Sequence, residues 1–465
     1  MSAAAADAAR ARAQRLLHGP VARTLLVLAV PNLVVMLAQA AANFLESYYV
    51  GLIGVDALAG AALVFPVVML MQMMSAGGIG GGISSAVARA LGAGDAARAE
   101  ALAQHAVVIA LALGLVFTVA AVGGGPWLYR AMGGRDTALA AALTYSNAIF
   151  SGATLLWLLN AFASVLRGSG NMRLPAVVLA GGVGVLVVAS PVLIFGVGPL
   201  PGFGIAGAGA ALVLYYALGC VVLGRTLLRG DGGVRLRFDR PLQRGHFADI
   251  LGVGGIAVVN NVNSNLSVVA ATALVAPFGV PALAGFGLGM RLEYLQVPLV
   301  FGFGTAMVAM IGMNVGAGQF ARARRIAWTG ALMAAAVTEL VGLAAAVFPR
   351  AWLGLFTQDA DALAAGATYL RHVGPAYGLF GLGLALYFAS QGARRMGWST
   401  LAGFARLLVI AGLGHLLVTR GGGGLDSLSA VLVAAPAVFA ALACVPWWPR
   451  VADAPLRPLP TGRTA

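Results

Sequence analysis

The chain is 465 residues long, 60% hydrophobic and only 9% charged, with a mean hydropathy of +0.91. That composition excludes a water-solvated globular surface and places the chain among integral membrane proteins. Its net charge of +14 rests on 29 cationic side chains, all of them Arg, spread over alternate loops and not gathered on one basic face, so it speaks for membrane orientation and against nucleic-acid binding.

Residues 1–23 are Ala/Arg-rich without a cleavage signature and are expected to be a retained cytoplasmic tail. Apolar runs of spanning length follow at about 24–48, 55–80, 97–122, 137–158, 174–195, 205–227, 247–276, 280–313, 326–348, 369–389, 399–418 and 428–445. The one long polar break, RTLLRGDGGVRLRFDRPLQRGH, holds six arginines. It is expected to place a cytoplasmic linker at 228–246, between an N-lobe at 24–227 and a C-lobe at 247–446, with a second cytoplasmic tail at 447–465. Twenty-two arginines fall in loops and tails on one side, and five, Arg130, Arg135, Arg350, Arg371 and Arg420, on the other. The excess of basic residues predicts a multi-pass protein of the plasma (inner) membrane with both termini cytoplasmic. The 65 glycines and 20 prolines suit membrane helices, where neighbours support close contacts and local breaks. Cys220 and Cys444 both lie in apolar runs and make no disulfide framework.

A stretch from Gly51 to His105 returns half a chain later. Gly54, Ala57-Leu58-Ala59-Gly60, Gly92-Ala93-Gly94 and Arg98 are answered by Gly279, Ala282-Leu283-Ala284-Gly285, Gly316-Ala317-Gly318 and Arg322. Phe162-Ala163-Ser164 is likewise answered by Phe388-Ala389-Ser390. One six-span unit has been used twice, and because six spans return the chain to its starting side, the copies are parallel repeats. The expected fold is an all-α membrane protein with twelve transmembrane helices in two pseudo-symmetric six-helix lobes.

Polar residues inside spans are the candidates for function, since an ionisable group at bilayer depth costs on the order of 3 kcal/mol and usually faces a cavity or ion pathway. Asn32, Gln39, Asn43 and Glu46 are spaced seven, four and three apart and are expected on one helix face, with Glu46 the one carboxylate of that face. Pro31 offers that helix a place to bend. The plainer alternative makes Glu46 a structural carboxylate satisfied by amides and water. Arg291 and Glu293 lie about 17–20 Å along a helix from Val280, near the bilayer middle. Being two apart they do not share a face, so each is expected to find its partner on another helix, in an ion pair or as part of a substrate site. Glu339, Arg406 and His415 are weaker candidates of the same kind. Asn261, Asn265 and Thr272 form one edge of the seventh span, beside Asn260, Ser264 and Ser267; they read as a neutral cavity wall or as glue between helices. Met69, Met71, Met73 and Met74 with Phe65 read as a soft wall for apolar ligands or as packing.

No catalytic constellation is legible. His18, His105, His246, His372 and His415 lack metal-ligand spacing, and GGIGGG and GAGD lack the Lys-Ser/Thr of a phosphate loop. Neither an enzyme activity nor a bound metal is expected.

The order VGLIGVDALAG, SSAVARALGAGD, VLRGSGNMRLP, RLEYLQVP, NVGAGQ and FASQGARR, over about residues 20–420, resembles the multidrug and toxic compound extrusion (MATE) family. The resemblance implies two six-helix lobes facing a central cleft, rocking between outward-open and inward-open forms. It also implies export of organic cations and other amphipathic compounds driven by inward flow of Na⁺ or H⁺. Family members usually carry an Asp five residues before the Gly matching Gly51; here Glu46 keeps an acid there, one methylene longer. Many prokaryotic members have LDP in the fifth helix with an Asn a turn earlier, where this chain has Ala189-Ser190-Pro191 and Leu186. Where one branch has an Asp in the tenth helix, GPAYGLFGLGLALY has no acid and Tyr377 is the polar candidate.

The expectation is therefore a cation-coupled antiporter exporting drugs or metabolites by alternating access, with Glu46 as coupling group and Gln39 and Asn43 beside it. A lone carboxylate among neutral amides suits a proton better than Na⁺, which wants several oxygen ligands. The substrate cavity is expected among Asn32, Asn261, Asn265, Tyr377, Met69, Met73, Glu293 and Arg291. The coupling ion, H⁺ or Na⁺, is the one cofactor expected, and the partners are a small-molecule substrate and membrane lipid around a monomer. Rival readings are a lipid-linked sugar flippase, disfavoured because only Arg291 and Arg406 lie inside spans away from their ends, and a non-transporting sensor derived from a transporter. A membrane-bound transferase lacks convergent chemistry in the sequence.

Overall fold

The computed structural model describes residues 3–420 and 424–448. It is helical almost throughout, as a chain in lipid must be to satisfy its own backbone N–H and C=O groups. In order come α1 (Ala3–His18), α2 (Val21–Ile53), α3 (Val55–Gly92), α4 (Ala96–Ala131), α5 (Asp136–Ser151), α6 (Ala153–Gly168), α7 (Arg173–Phe195) and α8 (Ile205–Arg229). Then follow α9 (Arg244–Phe278), α10 (Val280–Gly316), α11 (Phe320–Val347), a short α12 (Pro349–Leu353), α13 (Ala360–Gly392), α14 (Met396–Val418) and α15 (Ser427–Trp447). Eleven of these are long and apolar enough to cross a membrane; α5 and α6, bent by 45° between them, make the twelfth. Among the described residues the one β element is a short hairpin of two-residue strands, pairing Gly196 with Pro201.

Every apolar run expected from the sequence falls on these helices, with 137–158 running across the bend between α5 and α6, but the helices are longer. Hydropathy marks the stretch that lipid covers, while the hydrogen-bonded helix continues until the chain is capped. After α3 the chain turns at Gly94 (φ +76°), and α4 starts where Asp95 accepts the Arg98 backbone N–H at 2.8 Å. Inside α3, Met73–Ile79 forms a π-helical turn at the MMSAGGI run.

The repeat is visible in the backbone. Gly54 and Gly279 cap the starts of α3 and α10 with φ +147° and +95°, a region that favours glycine. One and a half turns later Gly60 and Gly285 let another helix touch the backbone: a Cβ on Gly60 would lie 2.7 Å from the Ala142 backbone N, and one on Gly285 would strike the Gly366 N. Thus α3 packs on α5 in the first half as α10 packs on α13 in the second.

The chain divides into two compact units, residues 3–15 with Val30–Gly255, and Leu16–Ala29 with the residues from Ile256 onward. These bounds differ from lobes separated at 228–246. The start of the first spanning helix belongs with the second unit, where Asn314 Nδ2 donates to the Leu16 carbonyl at 3.1 Å and Arg322 donates to the Gly19 carbonyl. The start of the seventh belongs with the first unit, where a Cβ on Gly254 would come within 2.9 Å of Ile79 Cα. A reading that cuts the chain into consecutive blocks has no way to see such an exchange.

The segment expected as a linker is strapped down along its length. Gln104 donates to the Arg240 carbonyl at 3.0 Å, Arg240 returns to Glu100 at 3.2 Å and to the Ala97 carbonyl at 2.7 Å, and the Gln243 N–H donates to His105 Nε2 at 2.8 Å. The expected N-terminal tail is helical: Arg12 in α1 donates to the Gly232 carbonyl at 3.3 Å, and burial lowers its guanidinium below the usual arginine range. The remainder of the expected C-terminal tail, with Arg450, Arg457 and Arg463, lies outside the described residues.

Candidate functional site

In the first unit, α2 carries Glu46 into the interior, where only 8% of it is exposed. Its carboxylate Oε1 accepts the Tyr145 hydroxyl of α5 at 2.8 Å. A hydrogen bond to a charged acceptor is roughly twice as strong as one between neutral groups, so Tyr145 fixes the carboxylate in place. Tyr215 and Tyr216 of α8 are buried with ring centroids 5.4 Å apart; Tyr216 stands close enough to Glu46 to feel its charge, and Gln39 stands beside Tyr215. Asn32 is buried as well and donates to Met172 Sδ at 3.7 Å.

Asn43 does not join them. It is exposed, and its carbonyl accepts the Ser47 hydroxyl at 2.9 Å. Counting by heptads explains this: Asn32, Gln39 and Glu46 are seven apart and stay on one stripe, whereas Asn43, three before Glu46, leans off it. Ser190 and Leu186, at the positions where an acid and an amide were compared, are both buried in α7. Met69 is half-buried, Met73 and Phe65 are exposed, and Met71 is fully buried in packing.

In the second unit, Glu293 of α10 meets Arg406 of α14 at 3.3 Å, and both side chains are largely buried. The expectation that Glu293 finds its partner on another helix holds. Arg291 turns away, exposed, with its guanidinium 5.4 Å from the centroid of the Phe356 ring. Tyr377 lies on the pocket beside the Glu293 pair, with Tyr369, Met290, Phe380 and Ser267. Along α9 the buried polar edge is Asn260, Asn263 and Ser267, while Asn261 is half-buried and Asn265 is exposed, donating to the Asn261 carbonyl at 2.9 Å. Asn260 reaches Thr400 of α14 at 3.5 Å, which fits glue between helices. Glu339 is partnered too: it accepts the Gly378 backbone N–H at 2.7 Å at the start of the last part of α13.

A third polar cluster was not anticipated. Asp249 of α9 is completely buried and held by two arginines of the same unit, Arg89 at 2.6 Å and Arg98 at 2.9 Å. The sequence marks those arginines as loop charges, and Arg98 also as part of the repeat, but pairs neither with an acid. Reading by sequence also passes over Tyr145, Tyr215 and Tyr216, because it weighs carboxylates and amides inside spans and takes up a tyrosine, Tyr377, only where the family resemblance points to one; phenolic hydroxyls inside the runs TYSN and LYYAL are the available signal. Among the described residues no group of three or more His, Cys, Asp or Glu side chains gathers as a metal site.

A family model described as MatE matches residues 31–193 and 257–414. The chain is 26% identical over 425 residues to an FAD transporter of Shewanella oneidensis, covering 90% of this chain and 92% of that protein. It is 26% identical over 358 residues to the probable multidrug resistance protein YoeA of Bacillus subtilis, with 75% of each covered. Among solved structures, a MOP superfamily transporter from Pyrococcus furiosus superposes with a TM-score of 0.85 at 23% identity, over 94% of this chain and 97% of that one. A MATE transporter in its bent conformation gives 0.87 at 23% identity over the same shares.

Proposed function

The chain belongs to the MatE family of membrane transporters, and on that premise we propose that it is a proton-coupled antiporter in which Glu46 is the coupling group. The observation that carries the reading is the burial of this one carboxylate against the Tyr145 hydroxyl. A carboxylate taking a single phenolic O–H is a sound place for one proton and a poor cage for Na⁺, which wants several oxygen ligands. Glu46 is protonated as cargo leaves outward and deprotonated when cargo is accepted from the cytoplasm, by alternating access. Both termini lie on the cytoplasmic side of the inner membrane, because the arginine-rich loops do.

The cargo is a small molecule, an organic cation or amphipathic drug in the first reading. A flavin dinucleotide is the second, favoured by the match to an FAD transporter across nearly the whole chain. Efflux from proteoliposomes, measured for a dye panel and for FAD under separate pH and Na⁺ gradients, separates these readings. Glu46→Gln is expected to abolish pH-driven efflux while the protein stays folded. Unchanged transport in that variant removes Glu46 from the mechanism, and efflux driven by Na⁺ alone removes the proton.

A further inference from the structure

The pocket between α9, α10, α13, α14 and α15 of the second unit is built around an ion pair that leaves donors over. Arg406 touches Glu293 through one nitrogen and one oxygen at 3.3 Å, not through the two parallel bonds a guanidinium can offer a carboxylate. Its Nε is buried with no hydrogen-bond partner among the described residues; the Tyr377 hydroxyl likewise has none at hydrogen-bond distance, its nearest polar neighbour being the Tyr369 hydroxyl. Both side chains line the same cavity of about 30 Å³, whose remaining wall is largely apolar, including Val268, Ala271, Ile410 and Leu432. Buried donors without acceptors are rare in folded proteins, and two of them on one cavity call for an acceptor inside it. A cavity needs about 10–15 Å³ of such space to hold a water, so this one has room for a water or for a monatomic ion in its place.

From this geometry we propose that the pocket is a proton-linked site for a small monovalent anion of halide size, held by Arg406 and Tyr377. The link follows from charge. With Glu293 ionised the pocket is already neutral, and an added anion would sit beside a carboxylate. Once a proton neutralises Glu293, Arg406 is left as a buried cation, unable to escape because it lies over the Phe380 ring at 5.3 Å. An anion entering with that proton restores neutrality, so one H⁺ and one anion bind together with no net charge change. The titratable and charged groups around Glu293 are Arg406 on α14, Tyr369 and Tyr377 on α13 and the adjacent Tyr294 on α10; Ser267 of α9 is neutral, and α15 contributes Leu432 and Pro436. Glu46 is not involved, so the assignment stands or falls separately from the antiport reading.

The test uses the full chain purified in detergent, with chloride exchanged for gluconate at constant ionic strength and followed by thermal unfolding and calorimetric titration. Chloride is expected to raise Tm at pH 5.5 and much less at pH 8. Its apparent affinity should tighten by about tenfold per pH unit over the range in which calorimetry in two buffers shows one proton taken up per halide. Glu293→Gln should bind chloride equally at both pH values without proton uptake, and Tyr377→Phe should weaken it about tenfold by removing one donor to a charged group. Arg406→Met should abolish the response; should that variant fail to fold, the other two still decide. Identical behaviour of chloride and gluconate at pH 5.5 in the unaltered protein means water alone fills the pocket and overturns the proposal. So does a Glu293→Gln protein that keeps the pH dependence.

Discussion

At the scale of single residues, three buried charged groups are held in three different ways. Glu46 has one phenolic donor, Glu293 one guanidinium contact, and Asp249 two arginines that use both of its oxygens. Asp249 is accordingly the most structural. Asp249→Ala leaves Arg89 facing an empty buried site and is expected to cost about 3–5 kcal/mol, the range for removing one partner of a buried pair. Thermal unfolding should show that loss, and a change within error would mean the two arginines are solvated without Asp249. Tyr145→Phe keeps the ring and removes only the O–H held by Glu46. Coupled efflux is expected to fall by about tenfold, the worth of one hydrogen bond to a charged group, with expression and Tm nearly unchanged. Full efflux in that variant would show that the phenol does not position the carboxylate.

At the scale of elements, the repeated glycines do the same work twice. Gly60 and Gly285 each allow a second backbone to approach where a methyl group would collide, so α3 meets α5 and α10 meets α13 at close range. Gly60→Val and Gly285→Val should each destabilise the protein by about 1–3 kcal/mol, as overpacking does. Matched losses of Tm from the two variants would follow from the shared contact; a large loss from one and none from the other would show that the copies have diverged at this crossing. The heptad stripe of α2 belongs to this scale too. Sequence spacing correctly put Asn32, Gln39 and Glu46 on one stripe, and it misplaced Asn43 because a four-residue and a three-residue step lean to opposite sides of a helix axis. For α9 the spacing leaves more open. Four asparagines and two serines decorate the helix nearly all round, and only contact with α14 decides that Asn260, Asn263 and Ser267 are the buried edge.

At the scale of the whole molecule, twelve spans and two parallel repeats follow the apolar runs and the Gly54/Gly279 pairing, and the MatE match runs through both halves. The orientation can be read directly. In a variant with Cys220 and Cys444 replaced, single cysteines at Leu242 and Arg325 should react with a membrane-impermeant maleimide only after cells are opened. Cysteines at Arg135 and Gln358 should react on intact cells. Labelling of Leu242→Cys from outside would invert the topology derived from the arginines. The two compact units add what no span count contains: the openings of α2 and α9 each belong with the other half's unit.

Membrane residence, the number of crossings, the internal repeat and the stripe that carries Glu46 were settled by the amino-acid order alone, because lipid imposes length, apolarity and charge asymmetry locally along the chain. Which groups meet was not. Tyr145 lies 99 residues from Glu46, Arg406 113 from Glu293, and Asp249 more than 150 from both of its arginines. Only packing brings such pairs within hydrogen-bond reach, since contacts between different helices leave no periodic trace in the sequence of either one.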